Sequence, residues 1–113
     1  MKHIMKLNPQ PFDMIKSGKK TIELRLYDEK RKAIAKGDTI KFIRADTKSE
    51  LICLVENLYV FESFKALYEG LSLLKCGYSE ANIDRASFND MNEYYSLEKQ
   101  EQYGVVGIEV KLL

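Results

Sequence analysis

The chain has 113 residues, 45% hydrophobic and 31% charged, with seven tyrosines and five phenylalanines. That length fits one domain, residues 1–113, with no room for a second independent core, and the composition is that of a globular protein. No stretch nears the roughly 18 apolar residues of a membrane span, and Met1 to Lys6 has charge but no apolar run behind it, so no membrane partner and a cytoplasmic location are expected.

The net charge of +1 is unevenly divided. Residues 1–48 hold 13 Lys and Arg against 6 Asp and Glu, whereas residues 49–113 hold 5 against 11. Two readings account for this: a basic face that meets an anion such as a phosphate backbone, or two halves that neutralise each other across the fold. Cys53, inside the run Leu51 to Val55, reads as a buried small hydrophobe, and Cys76, beside Gly77, as a packing residue at a helix end. With His3 as the single histidine and no paired cysteine spacing, no metal site and no cofactor are implied.

In chain order, His3 to Leu7 reads as a short strand. Asn8-Pro9-Gln10-Pro11 breaks it and starts a helix that turns Phe12, Ile15 and Met14 inward and ends at Ser17-Gly18. Thr21 to Leu26 is the clearest strand, with Ile22, Leu24 and Leu26 on one face and Thr21, Glu23 and Arg25 on the other. Residues 28–36 read as a short helix or turn closed by Lys36-Gly37-Asp38. Thr39 to Arg44 and Leu51 to Tyr59 form two strands joined by the turn Ala45 to Ser49, the second apolar enough to be covered on both faces.

Phe61 to Leu74 has helical spacing through Phe64, Leu67, Tyr68 and Leu71. Residues 78–102 are weaker, with short helices near 89–95 and 97–102. Val105 to Leu112 is a last strand that pairs back into the sheet and closes a barrel. Strands, a helical insertion and a returning strand make an α+β fold with pairing between early and late strands.

The segment Ser17 to Arg25 carries the chemistry. Glu23 and Arg25 project from one strand face, while strict alternation puts Lys20 on the apolar side with Ile22, so Lys20 joins them only if the backbone is still turning after Gly18. Arg25 offers a planar fork to a carboxylate, phosphate or carbonyl, Lys20 a point charge or a base, and Glu23 an acceptor or general base. A solvated surface pair worth less than about 1 kcal/mol is the alternative. If the face lines a closed pocket, losing Arg25 strands a buried carboxylate at about 3–5 kcal/mol. Tyr95 and Ser96 are candidates for a stacking ring and a hydroxyl, or for a helix closing on the barrel. Lys30, Arg31, Lys32 and Lys36 either track a phosphate backbone or form a solvated helix face.

The string G-x-K-x-x-E-x-R, met by Gly18, Lys20, Glu23 and Arg25, resembles the signature of the ASCH domain family. The likeness extends to Lys36-Gly37-Asp38, to Tyr94-Tyr95-Ser96 and to Tyr103 through Ile108. It implies a small mixed, largely antiparallel PUA-like β-barrel flanked by helices, with RNA or a nucleotide or nucleoside bound in a cleft between the barrel and the helix before the motif. Ligand contacts would fall to Lys20, Glu23, Arg25, Tyr95 and Ser96, with Glu23 accepting from a base amino group. One bacterial branch of the family hydrolyses the acetyl-amide of N4-acetylcytidine with a lysine, a threonine and a glutamate, and other relatives cleave RNA. The lysine matches Lys20 and the threonine position is Glu23, so an enzymatic reading makes Lys20 and Glu23 catalytic with Arg25 as oxyanion partner. Glu62 and Glu69 are candidates for the branch's glutamate.

Overall fold

The computed structural model describes residues 1–113. Strand β1 (Lys2–Leu7) leads into helix α1 (Pro9–Lys16), β2 (Ile22–Leu26), α2 (Glu29–Lys32), β3 (Thr39–Arg44) and β4 (Glu50–Phe61). Helix α3 (Phe64–Gly70), 3₁₀ turns at Ile83–Arg85 and Phe88–Glu93, and α4 (Leu97–Tyr103) form the insertion before β5 (Val105–Leu112). The strand order is β1-β3-β4-β5-β2, parallel between β1 and β3 and antiparallel elsewhere. The sheet curls into the half-barrel of a PUA-like fold. β5 returns as expected, but to the middle of the sheet, so β1 and β2 are the two edges.

Local chemistry explains most boundaries. α1 starts with Pro9, whose missing N–H costs nothing in a first turn, and buries Phe12 and Ile15; Gly18, at φ +81°, turns the chain out of it. Met14, placed inward by its spacing, is only half buried. Asp28 caps α2 by accepting from the Arg31 N–H at 3.1 Å. Phe61 stays in β4, paired with Val105, and Ser63 caps the next helix, so α3 is shorter than its apolar spacing suggests.

β4 departs from expectation on its second face. Cys53 and Val55 are buried, but Ile52 and Leu54 on the other face are only half covered, and Val60, opposite Val106 near the end of the strand, is exposed. A register shift between Val55 and Asn57 marks a bulge in its pairing with β5.

Two cores meet at β5. Val106, Ile108 and Val110 face the inside of the curl with Phe12, Ile15, Ile40, Phe42, Cys53 and Val55. Val105, on the opposite face, packs with Ile22, Leu24, Leu26, Phe64, Leu67, Cys76 and Met91 of β2 and the insertion. Both faces of β5 are therefore dry, which accounts for its unbroken apolar start. Gly107 makes the second contact close: a Cβ there would lie 2.8 Å from Leu71 Cδ1 and 3.1 Å from Ile22 Cγ2. Phe42 is fully buried in the inner core. Phe42→Ala is expected to cost about 3–5 kcal/mol in denaturant melts, against under about 0.5 kcal/mol for Val60→Ala.

Candidate functional site

β2 pairs with β5 so that Glu23 lies opposite Ile108 and Arg25 opposite Val106, both inner-core residues. The charged face of β2 therefore points into the curl, and its apolar face packs on the insertion. Glu23, 5% exposed, is one of the two buried polar residues of the protein. Its Oε2 accepts from Arg25 Nε at 2.8 Å and its Oε1 lies 2.9 Å from Lys20 Nζ. Arg25 Nη2 also donates to the Lys6 carbonyl at 2.9 Å, so one guanidinium ties β2 to β1, the two edges of the half-barrel.

Lys20 reaches this group because strand geometry has not begun where it sits. Its N–H donates to Met14 O at 3.1 Å, and the N–H groups of Thr21 and Ile22 both donate to Lys75 O. The ladder with β5 opens at Ile22, so alternation does not govern Lys20. Its stem is held by Gly77, which has φ +109°. A Cβ there would sit 3.3 Å from Lys20 Cδ, and an L side chain would be strained in that backbone.

Burial pushes the Glu23 carboxyl up, but the charges of Lys20 and Arg25 and their hydrogen bonds more than reverse this, and its pKa is lowered. Glu23 is thus ionised and fully engaged. Cys76 lines the same space, its thiol pushed up to about 11 by burial, which makes it a poor nucleophile.

These groups form one wall of a cleft of about 680 Å³. Lys6, Asn8, Gln10 and Met14 border it on the β1–α1 side, and Tyr68, Tyr78, Asp90, Glu93, Tyr94 and Tyr95 on the insertion side. Its size is that of a small-ligand pocket. Lys20 also borders a second, adjoining groove with Lys16, Lys75 and Lys111. Tyr95 stacks on Phe64 at 6.1 Å between centroids, and burial raises its hydroxyl pKa. Tyr94 is 63% exposed on the rim.

Of the residues singled out in the sequence, Lys20, Glu23, Arg25 and Tyr95 share this cleft and Ser96 does not. Ser96 caps α4, its Oγ accepting from the Lys99 N–H at 3.2 Å. Glu62 and Glu69 also lie outside the lining; the acids that line the insertion wall are Asp90 and Glu93. Sequence reading missed the Tyr68–Tyr78–Asp90 chain, in which Tyr68 and Tyr78 Oη are 2.7 Å apart and Tyr78 donates to Asp90 Oδ2 at 2.7 Å. A hint was present in Ser87-x-x-Asp90, a capping-box spacing that the structure realises at the second 3₁₀ turn.

A curled sheet of this strand order, with a helical insertion closing a cleft at its open seam, is a PUA-like α+β domain. The chain belongs to the ASCH domain family, whose model matches residues 5–113. The crystal structure of hypothetical protein PH0355 is similar at a TM-score of 0.83 and 34% identity, covering all of both chains. The solution structure of protein PF0455 from Pyrococcus furiosus is similar at 0.76 and 34%, covering 100% of this chain and 98% of that one. A variant of ZmASCH from Zymomonas mobilis shares the fold at 0.66 and 18%, covering 96% of this chain and 66% of its own. No curated protein matches the sequence. No helix is long and apolar enough to cross a membrane.

Two outcomes follow from the Glu23 geometry. Arg25→Ala removes two charge-assisted hydrogen bonds but leaves Lys20 on Glu23, so denaturant melts should show a loss of about 3 kcal/mol, partly restored in Arg25→Lys. A loss additive with that of Glu23→Gln and under about 1 kcal/mol would mean that the pair is not coupled. Because the folded pKa of Glu23 lies below its ordinary 4.5, its stabilisation is complete above about that pH and is lost as pH falls through the lower folded value. Glu23→Gln should therefore be less stable than wild type at pH 7, with the gap narrowing on acidification in pH-dependent thermal melts.

Proposed function

We propose that this cleft binds RNA or a nucleotide, with Lys20 and Arg25 as the anion- or carbonyl-binding groups and Glu23 as the residue that aims them. The observation that carries this reading is the convergence of two cations on one buried carboxylate at a cleft wall. Three such charges sum to +1. Lys20 has donors beyond the one facing Glu23, and Arg25 has N–H groups beyond those given to Glu23 and Lys6. An anion entering the cleft meets donors already oriented. Tyr94 and Tyr95 add ring faces of the kind on which single-stranded bases stack.

Hydrolysis of a modified nucleoside such as N4-acetylcytidine is the second reading, favoured by the presence of Lys20 beside a carboxylate in the cleft. Against it, Glu23 has a lowered pKa and both oxygens held by cations, which makes it a weak base at neutral pH. Imidazole chemistry on RNA has no support in the cleft either, since His3 pairs with Asp38 at 2.8 Å and is not among the lining residues.

Fluorescence anisotropy with a single-stranded RNA across a salt series tests the binding reading. Lys20→Ala should weaken binding about tenfold and flatten the slope of log K against log salt by about 0.7, the share of one phosphate contact. No binding by wild type at low salt would overturn it. Incubation with N4-acetylcytidine should give no cytidine above the Lys20→Ala control, and lysine-dependent release of cytidine would replace binding with hydrolysis as the function.

A further inference from the structure

Glu23 is the wrong carboxylate to receive a base amino group, because both of its oxygens already face cations in a buried setting. The cleft offers another on its insertion wall. Asp90 Oδ2 accepts from Tyr78 Oη at 2.7 Å and from the Ser87 N–H at 3.2 Å. Tyr78 spends its one proton on Asp90, so the 2.7 Å contact with Tyr68 is a donation from Tyr68 to Tyr78. Burial and these hydrogen bonds hold the Tyr78 hydroxyl in its protonated form. Asp90 is therefore clamped from two sides through one oxygen, and no protein group donates to Oδ1. Asp90 and Glu93 are both exposed on this wall, but Glu93 has no hydrogen bond or ion pair to fix its aim.

The geometry points to Asp90 as the specificity-determining residue of the cleft, selecting nucleobases that carry an exocyclic amine. This inference rests on the nucleotide-binding reading above. Lys20 and Arg25 supply donors at the β2 wall, and the free oxygen of Asp90 supplies an acceptor at the insertion wall. A ligand satisfying both ends has an anionic or carbonyl group at one end and an N–H donor at the other. An aspartate accepts from an exocyclic amine and repels a carbonyl oxygen in the same place. Tyr68 and Tyr78 are positioning residues, since they act through Asp90.

Isothermal titration calorimetry with two ligand pairs tests this, CMP against UMP and AMP against IMP, each pair exchanging an amine for an oxo group. The amino member of at least one pair should bind wild type about tenfold more tightly. In Asp90→Asn, the side-chain carbonyl can keep the Tyr78 and Ser87 donors and turn its NH2 toward the ligand, so the preference should vanish or invert. Tyr78→Phe, which keeps the carboxylate and loosens its clamp, should give an intermediate ratio. Equal affinity within both pairs in wild type overturns the assignment of Asp90 and leaves nucleotide binding standing. A ratio unchanged in folded Asp90→Asn does the same. The ligand pairs need no variant, so a variant that fails to fold does not shield the proposal. Failure of all four nucleotides to bind at low salt overturns both the assignment and the binding reading.

Discussion

The carboxylate of Glu23 sits 2.9 Å from Lys20 Nζ and 2.8 Å from Arg25 Nε, and Arg25 carries the pairing on to the Lys6 carbonyl across the seam of the half-barrel. A five-stranded sheet that curls without closing leaves two edges whose main-chain groups have no strand partner. Here a side chain joins them. Arg25 suits the task because its fork donates to a carboxylate through one nitrogen and to a carbonyl through another, which an ammonium on a flexible stem does less rigidly. The seam is held, but not sealed by a ladder, and the space beside it remains open as the cleft.

This arrangement is poor as a device for stability alone. Moving an ion pair out of water costs several kcal/mol per ion, and well-packed apolar side chains of similar volume often do as well or better. Glu23 and Arg25 nonetheless stand opposite Ile108 and Val106, where the register of β2 with β5 would accept apolar residues. A charged triad in that position provides donors fixed in direction before any ligand arrives, so little side-chain entropy remains to be lost on binding. The fold around it supplies the rigidity: β2 is packed on its far face by Phe64, Leu67 and Met91, and Gly77 lets the insertion backbone press against the Lys20 stem.

The sequence made the strands legible wherever alternation governed them. Ile22, Leu24 and Leu26 are buried together, and Glu23 and Arg25 share the other face, as period-2 geometry requires. It failed where the chain leaves that period. Lys20 precedes the ladder, and its direction is set by its own hydrogen bond to the Met14 carbonyl and by those of Thr21 and Ile22 to the carbonyl of Lys75, a distant residue that no local pattern names. β4 looked dry on both faces because apolar composition alone does not distinguish full from half cover, and its outer face proves only partly covered. α3 looked longer because Phe61 fits a helical spacing, yet pairing with Val105 holds it in the sheet. The Tyr78–Asp90 contact spans twelve residues of irregular chain, where neither helical nor strand periodicity applies.

The insertion is where this domain adds something to the barrel. A half-barrel with its edges pinned by Arg25 would present one charged wall to solvent, and that wall alone favours anions without discriminating among them. α3 and the 3₁₀ turns bring up a second wall through the contacts of Phe64, Leu67 and Met91 with β2. The Ser87 cap fixes the start of the second 3₁₀ turn, and its partner Asp90 is thereby committed to one orientation at the cleft. The same hydrogen bond that starts the turn thus also holds a carboxylate in the lining of the cleft. Chain economy of this kind explains why the acidic half of the sequence and the basic half meet at one site without cancelling there. Glu23 neutralises one cation within its own wall, and the acids of the insertion face the remainder across a space wide enough to admit a ligand.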